Sequence, residues 1–146
     1  MTTFEPTSGI YVLEVQLGVI KVGLSGDTDR RIGTHLRNAR SIGADPYRWQ
    51  VVPCPAALLR DAERAAHAAV LKLGGQPQAR TPEVFGSVYY NDVLSTVQMA
   101  VSEVVEYAAA LDRLRALPVT ELEHSLRHSP DDIAFVVRRL VSAVAS

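Results

Sequence analysis

The fold is decided by residues 9–25, which read GIYVLEVQLGVIKVGLS. Two β-rich runs in this stretch flank a break at Leu17-Gly18, and a short break between two such runs predicts a β-hairpin. The loop length fixes which side chains share a face, because successive strand residues point to opposite faces. A two-residue loop would place Tyr11 and Lys21 on opposite faces, whereas a three-residue loop would place them on the same face.

We expect a three-residue loop over 16–18, because Gly18 then occupies its left-handed third position, which glycine prefers. In that register Leu13 lies opposite Lys21, and Tyr11 lies diagonal to Lys21 on the same face. The hairpin is therefore predicted to bring a phenol and an ammonium group close together.

Helices and one further strand are predicted beyond the hairpin. They are a helix from Asp27 or Thr28 to about Arg40, a strand over 48–52, a helix from about Ala56 to Leu73, and a long helix capped by Asn91 and ending near Leu117. Residues 76–86 are predicted as a loop and 87–90 as a short extended segment. Two more helical pieces begin near Thr120 and Ser129.

This order predicts an α+β fold in which a small antiparallel or mixed three-stranded sheet is flanked by helices and followed by C-terminal helices. We place a compact core at residues 1–91 and a helical extension at 92–146. The extension has more apolar positions than one face of a small domain needs. It is predicted either to pack on the core or to form a homodimer interface, which leaves an interaction protein as one reading of the chain.

Charge and composition exclude several classes of protein. The 146 residues carry 15 Lys and Arg against 16 Asp and Glu, which excludes a uniformly basic nucleic-acid coat. Residues 1–60 hold seven basic and five acidic residues, and residues 92–146 hold five and eight. This gradient suits a polyanion site near the N-terminus, and scattered solvated charges explain it equally well.

Targeting and redox features predict a cytoplasmic protein without a membrane partner. No apolar run approaches the roughly 18 residues of a membrane span, and the first six residues lack the features of a signal peptide. The single Cys54 excludes an internal disulfide and is typical of a reducing compartment. It also excludes a cysteine-built zinc site.

Polar side chains with chemical potential recur on the first elements of the chain. Two lie in the hairpin strands, two lie one turn apart on the next helix, and two lie one turn apart on the helix after that. They are Tyr11, Lys21, Arg31, His35, Glu63 and His67. Each alone is commonly structural, as a strand aromatic, a solvated helix charge or a surface histidine. Their joint order and spacing favour a functional reading.

The same residues resemble the GIY-YIG endonuclease superfamily. Gly9-Ile10-Tyr11 matches the first motif in full, and residues 21–23, Lys-Val-Gly, stand where the second motif is expected. Lys21 replaces the usual second tyrosine, as in some restriction enzymes of the superfamily. The resemblance covers residues 9–91.

Later residues are similar to the phage-type branch of that superfamily. Glu63 with His67 precedes a Glu83-Val84-Phe85 segment, as in that branch. The resemblance suggests His67, Glu83 and Asn91 as accessory residues, and helix capping explains Asn91 equally well.

The resemblance implies a divalent-metal-dependent DNA endonuclease, with RNA left open as a substrate. It implies that Tyr11 is the general base or positions water, and that Lys21 lowers the pKa of the phenol or accepts the proton. Arg31 and His35 would hold the phosphate, and Glu63 would bind Mg²⁺ or Mn²⁺.

Further contacts to nucleic acid and an alternative function are also expected. Phosphate contacts are expected from basic residues of the first part of the chain, namely Arg30, Arg37, Arg40 and Arg48. The alternative function is a catalytically inactive module of the same fold that binds nucleic acid or protein.

Overall fold

The computed structural model of the protein describes residues 8–41, 48–116 and 120. The strands are β1 Gly9–Gln16, β2 Val19–Ser25, β3 Arg48–Pro53, β4 Gln76–Gln78 and β5 Thr81–Gly86. The α-helices are α1 Thr28–Ser41, α2 Leu59–Lys72 and α3 Tyr90–Ala116, and a 3-10 turn at Ala56–Leu58 precedes α2. The predicted α+β class is confirmed.

The described strands form one sheet of five, in the order β3-β1-β2-β5-β4, with every pairing antiparallel. The prediction of three strands is wrong, because residues 76–86 form a hairpin and not a loop. Pro77 and Pro82 in this segment argued against strands. Pro77 lies on the edge strand β4, which pairs only with β5, so its missing N–H removes no bond from a central strand.

The β1–β2 hairpin has the predicted faces but a different loop. Leu13 pairs with Lys21, as predicted, and Tyr11 pairs with Gly23. Gln16 pairs with Val19, so the loop has two residues, and a bulge between Glu14 and Gln16 restores the predicted register. A bulge inserts one residue and therefore has the same effect on the faces as a longer loop.

The two motif glycines allow close approaches that a side chain would prevent. A Cβ added to Gly23 would collide with the Tyr11 phenol, which therefore lies across β2 at this residue. A Cβ added to Gly9 would lie 2.5 Å from the Val52 carbonyl oxygen of β3. These packing contacts give both glycines a physical role in the sheet.

Helices cover the sheet on both faces. On one face Tyr11 and Leu13 of β1 pack with Ile32 of α1. On the other face α2 packs against β2 and β1, and the buried side chains Ala62, Ala66 and Val70 form its inner surface. The first helix is fixed at its start by Asp27, whose Oδ1 accepts a hydrogen bond from the Arg30 N–H at 3.1 Å.

The ends of the later helices are only partly as predicted. Residue Gly74, with φ +104°, follows the last residues of α2 and is the predicted stop signal. Helix α3 begins at Tyr90, so Asn91 lies inside its first turn and the prediction of an Asn91 cap is wrong. A turn at Ser87, with φ +61°, leads from β5 into α3.

The chain forms two compact units, residues 1–102 and 103–146. The sheet, α1, α2 and the first part of α3 belong to the first unit, and the predicted boundary between residues 91 and 92 lies at the start of α3. The helical pieces predicted after Thr120 fall outside the described residues. Among the helices described, none combines the length and apolar character that a membrane span requires.

Candidate active site

A cleft of about 520 Å³ in the first unit is lined by five of the residues singled out from the sequence. Strands β1, β2 and β5 and helices α1 and α2 all contribute to its walls. The lining residues are Tyr11, Leu24, Arg31, Arg60, Glu63, Arg64, His67 and Glu83. The predicted base, the predicted phosphate ligand and the predicted metal ligand therefore face one concave surface.

Tyr11 belongs to both the core and the cleft. The residue is only 1% exposed, and its ring packs with Leu13 and Ile32. Its hydroxyl is 3.0 Å from Nε2 of His35, and the two ring centroids are 5.4 Å apart. The ring is therefore held by packing, while the hydroxyl is held by a hydrogen bond next to the cleft.

Both partners of this hydrogen bond are neutral at neutral pH. Burial raises the pKa of Tyr11, despite the opposing hydrogen bond from Arg31. Burial lowers the pKa of His35, and the positive charges of Lys21 and Arg31 lower it further. A guanidinium only donates, so the Tyr11 oxygen accepts from Arg31, and in the tautomer of His35 that carries its proton on Nδ1, Nε2 accepts the phenol proton.

The role predicted for Lys21 therefore needs correction. The expectation that Lys21 lowers the pKa of Tyr11 is wrong, because burial dominates and the cation beside the phenol is Arg31. The Lys21 ammonium lies 3.1 Å from Oε1 of Glu83, and its side chain is 15% exposed. This ion pair explains how a central strand accommodates a lysine, and it gives Glu83 a defined partner.

Glu63 and His67 lie one turn apart on α2 but have different surroundings. His67 donates from Nε2 to the Val22 carbonyl oxygen at 2.7 Å, and its ring packs edge-on against Phe85. Strand β5 pairs with β2 only as far as Lys21. His67 therefore donates a hydrogen bond to the Val22 carbonyl oxygen just past the end of that pairing. Glu63 lies 3.9 Å from His67 and remains a quarter exposed to the cleft.

The described residues of the cleft offer few oxygen donors to a metal ion. Within the described ranges no three His, Cys, Asp or Glu side chains form a group that could hold a metal. Among the described residues Glu63 has no lysine or arginine partner, whereas Glu83 is paired with Lys21. Magnesium keeps several waters and commonly uses one or two carboxylates together with substrate phosphates.

Besides Lys21 and His35, four predicted residues with described side chains do not line the cleft. Arg48 stacks over the Tyr90 ring at 4.4 Å and lies 3.6 Å from Oε1 of Glu14. Because Glu14 alternates with the Tyr11 face, Arg48 lies on the opposite side of the sheet. The exposed residues Arg30, Arg37 and Asn91 also lie elsewhere, and the side chain of Arg40 falls outside the described residues.

Two charged residues of the cleft were missed from the sequence. Arg60 and Arg64 share one face of α2 with Glu63 and His67, at helical spacings of three, four and seven. Reading the whole face of the helix, and not only its Glu–His pair, would have found them.

Comparison with known proteins adds no family to this description. The chain matched no protein-family model, no curated protein and no solved structure.

Proposed function

We propose that the protein is a divalent-metal-dependent endonuclease of the GIY-YIG type that hydrolyses phosphodiester bonds in DNA. The observation that supports this most strongly is that Tyr11, Arg31 and Glu63 line one cleft although they come from three separate elements. Phosphodiester hydrolysis needs an activated water, positive charge at the phosphate oxygens and stabilisation of the leaving oxygen. These three side chains match those three needs.

Water activation is assigned to the Tyr11–His35 pair. The Tyr11 oxygen and Nε2 of His35 lie 3.0 Å apart, and the neutral imidazole with its proton on Nδ1 accepts the phenol proton at Nε2. When a water approaches the Tyr11 oxygen, that oxygen accepts the water proton while its own proton passes to Nε2 of His35. The hydroxide then attacks phosphorus, the bond to the leaving oxygen breaks, and solvent supplies the proton that this oxygen requires. The raised pKa of Tyr11 is compatible with this route, because no free phenolate has to accumulate.

Phosphate binding and charge neutralisation are assigned to Arg31 and Glu63. Arg31 is exposed, lines the cleft beside the Tyr11 oxygen, and offers a planar set of donors to phosphate. Glu63 would hold Mg²⁺ or Mn²⁺ together with substrate oxygens, and such an ion supplies positive charge at the leaving oxygen. Lys21 acts indirectly, by fixing Glu83 and keeping His35 in its neutral form.

A cleavage assay over several substrates tests this proposal. Supercoiled plasmid, linear duplex, branched DNA and an RNA strand would each be incubated with Mg²⁺, Mn²⁺ or EDTA. We expect DNA cleavage by the wild type with metal and none with EDTA. Tyr11→Phe and Glu63→Gln are expected to lose cleavage, and Lys72→Gln, at the far end of α2, is the control that retains it.

An inactive nucleic-acid-binding module is the second candidate. It is favoured by the small number of metal donors in the described residues and by the protonated state of Tyr11. A wild type that binds DNA but cuts no substrate with either metal would support this candidate over the endonuclease.

A further inference from the structure

Arg60 and Arg64 are cations of the cleft for which the proposed chemistry has no use. Both side chains are exposed and line the cleft, and they lie one turn apart on α2. Neither side chain makes an ion pair or hydrogen bond with another residue in the described ranges. As far as the described part of the chain goes, both guanidinium groups are therefore open to a ligand.

The charges around the two arginines favour an anionic ligand. Three arginines and two carboxylates line the cleft, and one of those carboxylates, Glu83, is neutralised by Lys21. Like charges four residues apart on a helix destabilise it. An anion between Arg60 and Arg64 would remove this repulsion, and a concave surface strengthens its attraction.

We propose that Arg60 and Arg64 bind the two backbone phosphates that follow one another beside the scissile phosphate of a DNA strand. Their Cβ atoms, one helical turn apart, are separated by about 5–6 Å, which suits neighbouring phosphates of one strand. Arg31 on α1 would hold the scissile phosphate next to Tyr11. The assignment of that phosphate rests on the proposed endonuclease function. The substrate is then a continuous polynucleotide, and a dinucleotide lacks the groups that these arginines bind.

Binding measured in EDTA tests this assignment without cleavage. The probe is a fluorescein-labelled DNA strand of about twelve nucleotides, and its dissociation constant is measured by anisotropy over a range of salt concentrations. The proteins are the wild type, Arg60→Gln/Arg64→Gln, Arg60→Lys/Arg64→Lys and the control Lys72→Gln. Circular dichroism establishes that each variant is folded.

The expected result is a loss specific to the cleft arginines. Each phosphate contact on a single strand contributes about 0.7 to the slope of log K against log salt, so the glutamine double variant should lose about 1.4 of slope and bind on the order of twentyfold more weakly at 0.1 M salt. The lysine double variant should keep most of the slope. Lys72→Gln should behave as the wild type, and a dinucleotide should compete equally poorly against all four proteins.

The assignment is wrong if the glutamine double variant keeps the wild-type affinity and salt slope. It is also wrong if Lys72→Gln loses as much affinity and slope as the glutamine double variant. Either result overturns the assignment whether or not the wild type cuts DNA. A wild type that binds with the expected slope but never cuts contradicts the endonuclease and leaves the phosphate contacts supported. Equal loss of slope with an RNA strand would widen the ligand to both nucleic acids.

Discussion

The Tyr11 side chain combines a structural and a chemical position. Its ring is part of the core, and its hydroxyl is fixed by His35 at 3.0 Å. Removal of the hydroxyl therefore tests chemistry while leaving the packing of the ring in place. The two effects have very different sizes, which makes them separable.

We expect Tyr11→Phe to lower the free energy of unfolding by about 1–2 kcal/mol, because the hydrogen bonds of the hydroxyl with His35 and Arg31 are lost. We expect it to lower the rate of DNA cleavage by about 10²–10⁴-fold, the usual contribution of general base catalysis. Urea denaturation and single-turnover cleavage on the same preparation measure both. A variant that is destabilised but cuts at the wild-type rate would remove Tyr11 from the chemistry.

The lowered pKa of His35 predicts a pH dependence of stability. Between the lowered folded pKa and the unfolded value near 6.5, the unfolded chain binds more protons than the folded chain. The free energy of unfolding should therefore fall as the pH drops from above 6.5 through this window. The contribution of His35 to the free energy of unfolding should level off below its pKa in the folded protein.

Urea denaturation of the wild type and His35→Gln at several pH values between about 8 and 4 measures this contribution. The difference between the two proteins isolates His35, because other titrating groups are common to both. A difference that does not change with pH would contradict the lowered pKa.

The two hairpins of the sheet differ in how well the sequence predicts them. The faces of β1 and β2 agree with the prediction because the bulge between Glu14 and Gln16 adds the residue that was expected in the loop before Val19. The β4–β5 hairpin was not, because Pro77 and Pro82 are loop signals unless the strand is known to be an edge. Strand order depends on pairings between distant residues, which local sequence patterns do not contain.

The close contact between Gly23 and Tyr11 gives a test of the hairpin. Gly23→Ala places a methyl group where the phenol lies, and overpacking of this kind costs about 1–3 kcal/mol of stability. It should also disturb the hydrogen bond from Tyr11 to His35. The control is Gly33→Ala on α1, where the nearest atom is 3.7 Å away and alanine should stabilise the helix.

Thermal and urea denaturation of both alanine variants supply the measurement. Equal stability of Gly23→Ala and the wild type would contradict the position of the Tyr11 ring across β2.

The charges on the face of α2 that lines the cleft should nearly balance in their effect on stability. Arg60 and Arg64 repel each other at a spacing of four, but Glu63 lies three residues from Arg60 and Asp61 three from Arg64, so Arg60→Gln/Arg64→Gln should change the free energy of unfolding by less than about 0.5 kcal/mol. Added salt should reduce the difference by screening. A double variant less stable by more than 1 kcal/mol would indicate a structural role, contrary to two ligand-binding arginines.

At the scale of the whole molecule, the sequence predicted which residues meet better than how they interact. Tyr11, Arg31 and Glu63 share a cleft, as their order along the chain suggested. The pairing of Lys21 with Glu83 was not predictable, because it depends on the β5 strand that the sequence did not reveal. The pKa directions of Tyr11 and His35 were not predictable either, because they depend on burial, which is a property of the complete fold.

The proposed hydrolysis of DNA in this cleft depends on a metal ion held by Glu63. The most direct test is the single-turnover cleavage rate of DNA as a function of Mg²⁺ concentration, for the wild type and Glu63→Gln, with DNA binding measured in parallel in EDTA. We expect a rate that saturates with Mg²⁺ for the wild type, and no cleavage by Glu63→Gln although this variant binds DNA at least as tightly. Cleavage by Glu63→Gln at the wild-type rate and with the wild-type Mg²⁺ dependence would contradict a metal ion held by Glu63.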